Sequence, residues 1–162
     1  MFARYFVELG MEPAAVLQLL LHGPESCLPG LAAAATHQGD VLLANVGFGH
    51  DVRLERTVEI QLGEPVELAT KTLVPLRWTP VGTSGLFPAL DADFEIARIE
   101  DERTQLAISA RYVPPLGALG RVLDRAILSR VAEATVKDFL DRVALRFNSD
   151  HGHAQKSGTS LG

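Results

Sequence analysis

The feature that most constrains the fold is a long stretch near the C-terminus that contains nothing to break a helix. From Gly117 to Phe147 the chain has no proline, and no glycine after Gly120. About 30 residues at ~1.5 Å per residue make one helix of roughly 45 Å. Pro114 and Pro115 precede it, which ends the strand before them. We therefore predict one continuous helix over 117–147, packed across an antiparallel sheet.

The N-terminal part of the chain predicts a strand followed by two short helices. Residues 2–9 are rich in aromatic and β-branched side chains, which is typical of a strand. Pro13 suits the first turn of a helix, and an apolar face follows it. A second short helix or irregular segment is expected over 25–36. Residues 41–46 then predict a short strand.

The clearest strand lies between residues 52 and 62, where apolar and polar side chains alternate with period two. Arg56 interrupts its apolar face. The sequence Gly63-Glu64-Pro65 predicts a hairpin loop into a strand over 66–78. Pairing Leu62 with Val66 would keep both apolar faces on one side of the sheet, with Arg56 opposite Thr72.

Two further strands, near 88–99 and over 104–113, predict a hairpin about Asp101. This register sets apolar side chains opposite each other on the face that should be buried. The predicted pairs are Ala92 with Ala110, Phe94 with Ile108, and Ile96 with Leu106. Five or six antiparallel strands are therefore expected after the opening strand and the two helices.

Three acids alternate with the apolar residues of that hairpin, and we interpret them as an exposed charge ladder. Asp91, Asp93 and Glu95 should lie on the outer face, with Arg111 opposite Asp91 and Lys71 near Glu95. A cation site is the alternative interpretation. No metal site is predicted, because the histidines lack the spacing of known ligand sets.

Composition limits the partners of the chain. At 162 residues, 47% hydrophobic and 22% charged, it fits one globular domain. A formal charge of -5 with scattered basic residues disfavours nucleic acid and acidic membrane surfaces. No apolar run approaches the roughly 20 residues of a membrane span. One cysteine and no visible signal peptide lead us to expect a cytoplasmic protein.

The C-terminal residues differ in character from the rest of the chain. From 148 to 162 the sequence shows no periodicity and almost no apolar residues. It therefore predicts a domain over 1–147 and a disordered tail over 148–162.

A family resemblance rests on this order of elements and on the stretch from Tyr112 to Arg125, Tyr-Val-Pro-Pro-Leu-Gly-Ala-Leu-Gly-Arg-Val-Leu-Asp-Arg. The stretch resembles the strand-to-helix junction of START-like proteins, a superfamily that includes polyketide cyclase/dehydratase-like and lipid-transfer proteins. The resemblance implies an α+β helix-grip fold, in which a curved antiparallel sheet wraps around a long C-terminal helix, with two short helices after the first strand. We expect no cofactor, since the sequence contains no Gly-rich phosphate-binding loop.

The candidate site is the inner face of the sheet. Arg56 stands where an apolar side chain is expected, so it could anchor a ligand anion, reach the cavity rim, or pair with an internal acid. The other candidate ligand-binding residues share the same inferred face, although each could be plain core: Thr70, Thr72, Trp78 and Tyr112.

Three functions fit these observations. The first is the binding or transport of a hydrophobic small molecule, such as a lipid, polyketide or isoprenoid, between sheet and helix. The second is a cyclase or dehydratase that uses the same cavity, with Arg56 or Tyr112 as proton donor or anion stabiliser. The third is an interaction module with a filled core.

Overall fold

The chain forms one antiparallel sheet, three helices and their connections in a computed structural model that describes residues 2–22, 27–45, 57–81, 89–112 and 125–158. The elements are β1 (Phe2–Leu9), α1 (Pro13–His22), α2 (Cys27–Asn45), β2 (Thr57–Leu62), β3 (Val66–Glu67), β4 (Thr72–Val81), β5 (Leu90–Glu100), β6 (Arg103–Tyr112) and α3 (Arg125–Gly158).

The described strands form a six-stranded sheet in the order β1-β6-β5-β4-β2, with β3 also paired to β4. Every pairing is antiparallel. The long helix α3 packs mainly against β1 and α2, while α1 contacts β5 and β6. This arrangement confirms the predicted helix-grip architecture.

The core lies between the inner face of the sheet and one stripe of α3. Alternate side chains of the central strands are buried because strand residues point to opposite faces. The stripe of α3 that faces the sheet is apolar and buried, and it includes Val136, Phe139, Leu140, Val143 and Phe147. A buried hydroxyl also ties β6 to the start of α1, since Thr104 Oγ1 donates to the Met11 carbonyl at 2.7 Å.

The hairpin of β5 and β6 has the predicted register. Ala92 pairs with Ala110, Phe94 with Ile108, and Ile96 with Leu106. The strands meet at a two-residue turn in which Glu102 takes a left-handed backbone conformation, with φ of 57°. Alternation excludes every register shifted by one residue, and the short turn between Glu100 and Arg103 selects this register among the rest.

The strand predicted over 41–46 is wrong in the part that the structure describes, because α2 continues to Asn45. Leu42, Leu43 and Ala44 are good helix formers. An existing helix also propagates at less cost than a new element is nucleated, so the helix extends through them. The second helix is consequently longer than predicted.

The register predicted for Leu62 is also wrong. Leu62 pairs with Leu76 and Ile60 with Trp78, whereas Val66 pairs with Leu73. Residues 63–65 therefore interrupt one strand rather than reverse it, and the Gly63 N–H donates to the Pro75 carbonyl at 2.8 Å. The reversal comes at 68–71, where the Leu68 N–H donates to the Lys71 carbonyl at 2.8 Å.

The C-terminal helix differs from the prediction at its end. The structure describes it from Arg125 to Gly158, so residues 148–158 are helical where the sequence predicted a disordered tail. Ion pairs four residues apart, such as Arg146 with Asp150 at 3.1 Å, support the exposed turns. A helix already nucleated by packing needs only such local support to continue. Residues 117–124 of the predicted helix lie outside the described residues.

Candidate functional site

The candidate site is a row of large side chains across three adjacent strands of the inner face. Trp78 on β4 pairs with Leu90 on β5, and Leu90 pairs with Tyr112 on β6. All three side chains are buried. The row brings together two of the residues predicted for the site, because directly opposed residues in antiparallel strands share a face.

The helix closes over this row through an aromatic contact. The ring of Trp78 meets the ring of Phe139 edge to face, with centroids 5.0 Å apart and an interplanar angle of 67°. The ring centroid of Phe94 lies 6.2 Å from that of the same Phe139. Trp78 is thus fixed at the point where the inner face of the sheet meets α3.

The indole nitrogen of Trp78 is the unusual polar atom in this row. Nε1 is buried and has no hydrogen-bond partner among the residues that the structure describes. An indole N–H can only donate. Leaving such a donor buried without an acceptor costs about 1–3 kcal/mol, so an acceptor placed within reach of Nε1 would stabilise this part of the molecule.

The other predicted site residues do not join the row. Thr72 is half-buried on the same face, but six residues from Trp78 along β4, which is roughly 20 Å. Thr70 is exposed in the turn at 68–71, so its expected place on the inner face is wrong. The turn displaced it because the chain reverses there and not at 63–65. Arg56 lies outside the described residues.

Two clefts lined by described residues open elsewhere on the molecule. One, of about 420 Å³, lies on the sheet between β2, β4 and β5, and its walls include Gln61, Arg77 and Asp93. The other, of about 370 Å³, separates the start of β1 from α3. The sequence predicted neither, since each depends on how elements are placed and not on a motif.

The outer face carries a charge cluster centred on Glu95. Its carboxylate accepts hydrogen bonds from Lys71 Nζ at 2.7 Å, Ser109 Oγ at 2.7 Å and Arg4 Nη2 at 3.3 Å. Burial opposes ionisation of this carboxyl, but the hydrogen bonds from Lys71, Ser109 and Arg4 outweigh it and lower the pKa to about 2.

The pairings predicted for the charge ladder are confirmed, and so is the exposure of Asp91, but the exposure predicted for Glu95 is wrong. Arg111 lies directly opposite Asp91 on the neighbouring strand, and Lys71 forms an ion pair with Glu95. The Glu95 side chain is only 12% exposed, however, because its three donors fold over it. Alternation places Ser109 and Arg4 on the outer face, but their position beside Glu95 follows from the pairing of Arg4 with Ser109 across β1 and β6, which the sequence does not specify.

Comparison with known proteins bears on the fold alone. No family model and no curated protein matches the sequence. Among solved structures, a conserved protein from Geobacillus kaustophilus matches with a TM-score of 0.56 at 13% identity, over 92% of this chain and 96% of its own. A protein from Thermus thermophilus matches with a TM-score of 0.51 at 15% identity, over 93% and 99%.

A Streptomyces aromatase/cyclase also matches, with a TM-score of 0.48 at 15% identity, over 100% of this chain and 98% of its own. The first two matches share the helix-grip fold described above. Within the described residues, none of the helices combines the length and the apolar character needed to cross a membrane.

Proposed function

We propose that the chain binds a hydrophobic small molecule between the inner face of the sheet and α3, with Trp78 donating a hydrogen bond to it. The observation that carries this proposal is the buried Trp78 Nε1, which has no acceptor among the described residues. The indole lies between apolar side chains of both layers, and ligand pockets combine such walls with few polar groups.

The proposal specifies the chemistry of the ligand. It has an apolar body that fits against Phe139, Leu90 and their neighbours, and at least one acceptor oxygen within reach of the indole. Lipids, polyketides and isoprenoids with a carbonyl, hydroxyl or carboxylate meet this description. Arg56, which immediately precedes β2 in the sequence, and Tyr112 remain proposed partners for the same polar end.

Native mass spectrometry of the freshly purified chain is the first test, because a retained ligand adds a defined mass. Calorimetry with laurate is the second, since laurate joins an apolar chain to a carboxylate acceptor. Trp78→Phe keeps an aromatic ring but removes the donor. We expect it to weaken laurate binding about 3- to 10-fold, the loss of one hydrogen bond.

The matched control is Tyr5→Phe, which removes a polar atom from another aromatic ring outside the row. It should leave laurate binding within error, and thermal melts of both variants report whether the fold is retained. Equal laurate affinity in wild type and Trp78→Phe would contradict the proposed role of the indole. No retained mass and no laurate binding at all would favour the third function, an interaction module with a filled core.

An enzyme that uses the same pocket would bind the same ligands and also change them. Incubation of the chain with the molecule identified by mass spectrometry distinguishes the two functions. An unchanged mass and retention time fit a binding or transport protein, whereas loss of water or ring closure would establish the cyclase or dehydratase.

A further inference from the structure

The outermost strand β1 offers an open edge for pairing. It is eight residues long, contains no proline, and pairs only with β6 within the described part of the chain. Two aromatic side chains on its outer face are exposed, Phe2 at 58% and Phe6 at 52%. Proteins usually protect such edges with proline, bulges or short strands, because free backbone groups template pairing with another strand.

Space for another strand exists beside β1. The cleft of about 370 Å³ is lined by four consecutive β1 residues, Phe2 to Tyr5, and by α3 from Arg130 to Lys137. Successive strand residues point to opposite faces of a sheet. A cleft that touches all four must therefore open along the edge of the strand, where the unpaired backbone groups lie.

We propose that β1 pairs in an antiparallel register with β1 of a second copy, about a twofold axis at Phe6. In this register Phe6 meets its own counterpart, and Arg4 lies opposite Glu8 of the second copy, twice by symmetry. Moving the axis to Tyr5 would place Arg4 opposite Phe6, and moving it to Arg4 would oppose two arginines. The axis at Phe6 thus pairs opposite charges and brings the two exposed Phe6 rings together.

The charge of the cleft supports a second copy as the occupant. Its lining includes the cations Arg4, Arg130 and Lys137 but the single acid Glu133. The part of the second strand that lies along Phe2 to Tyr5 in this register is residues 7–10, which carry Glu8 and no cation. The acidic half of one strand therefore meets the basic cleft of the other.

The association should be weak and reversible. A single pair of strands about 27 Å long buries a small area, at the low end of specific interfaces. We expect monomers near ~1 µM and a growing dimer fraction toward ~100 µM and above, which sedimentation velocity of the full chain measures.

Charge variants of β1 test the register. Arg4→Glu alone and Glu8→Arg alone each place like charges opposite each other at both symmetric positions, so each variant should stay monomeric at every concentration. An equimolar mixture of the two restores opposite charges at both positions and should form a heterodimer. This recovery also separates a lost interface from a lost fold, since both variants break internal ion pairs, with Glu95 and with Arg103 respectively.

Two further variants complete the test. Phe6→Lys opposes two ammonium groups on the axis without touching an ion pair, and should abolish the dimer while the thermal melt stays close to wild type. Leu145→Lys changes another exposed apolar residue, on α3, and should leave the dimer unchanged. A wild-type chain that remains monomeric at the highest concentration, or single variants that still dimerise, would overturn the proposal.

Discussion

Replacing Glu95 by glutamine removes a carboxylate on which Lys71, Ser109 and Arg4 converge, and the structure allows its effect on stability to be worked out. The folded state lowers the pKa of Glu95 from 4.5 to about 2. A difference of roughly 2.5 units at about 1.36 kcal/mol per unit gives ~3 kcal/mol of stabilisation of the ionised, folded form. Because Arg4 is half exposed, solvent screens part of this stabilisation. We therefore expect Glu95→Gln to lower the free energy of unfolding by about 2–3 kcal/mol near neutral pH.

The dependence on pH follows from the direction of the shift. A carboxyl whose pKa is lower in the folded state stabilises the fold fully above its unfolded value, and this contribution is lost as the pH falls through the folded value. The difference between wild type and Glu95→Gln should therefore persist down to pH 4.5 and decrease toward about pH 2. Urea unfolding followed by the fluorescence of Trp78, the single tryptophan, measures both.

The matched control is Asp91→Asn on the same strand and face. Asp91 pairs with Arg77 at 3.0 Å, but both side chains are well exposed. Exposed pairs contribute about 0–1 kcal/mol, so this variant should lose less than about 1 kcal/mol. A Glu95→Gln variant that is no more destabilised than Asp91→Asn, or an effect that is equally large near pH 2, would contradict the stabilising role of the Glu95 carboxylate.

Three smaller predictions concern residues near the site and in the surrounding sheet. Each is stated as a change in the free energy of unfolding, which urea unfolding measures. Phe139→Ala should cost about 3–5 kcal/mol and move the emission of Trp78 to longer wavelength, because it opens a cavity beside the indole; unchanged emission would contradict the contact. Thr104→Val should cost about 1–2 kcal/mol by leaving the Met11 carbonyl without its donor, and a neutral result would show that this bond is dispensable. Glu102→Gly should be neutral or stabilising by up to about 1 kcal/mol, because glycine tolerates the left-handed conformation; clear destabilisation would argue against that turn.

The parts of the fold that the sequence predicted well depend on patterns with one solution. The β5–β6 register follows from the apolar alternation of both strands together with the short turn between them. The α3 stripe follows from apolar spacing over many turns. Both signals are local or nearly local, and both are repeated several times.

The parts that failed depend on which of two reasonable turns the chain takes. Gly63-Glu64-Pro65 has the composition of a hairpin loop, yet the strand continues past it and reverses at 68–71. Because the chain reverses at 68–71, Thr70 lies in the turn and not on the inner face. For the same reason Leu62 pairs with Leu76. Likewise, 41–46 can be either strand or helix, and the helix before it decided the outcome.

The candidate site was predictable only in outline. Alternation placed Trp78 and Tyr112 on the inner face, as the structure has them. Their common neighbour Leu90 and the contact of Trp78 with Phe139 depend on the register of β4 and the position of α3, which periodicity does not specify. That Trp78 Nε1 has no acceptor among the described residues could be recognised only from the structure, because it depends on which atoms surround the indole.

The most direct test of the central claim is the proton–nitrogen NMR spectrum of the Trp78 indole, recorded with and without laurate. With a single tryptophan the spectrum contains one indole N–H signal, so its assignment needs no variant. The proton signal of a donor that gains an acceptor moves downfield. We expect this shift to grow with laurate concentration in parallel with the binding measured by calorimetry. An indole signal that stays in place while laurate binds would show that Trp78 is core and that the ligand lies elsewhere.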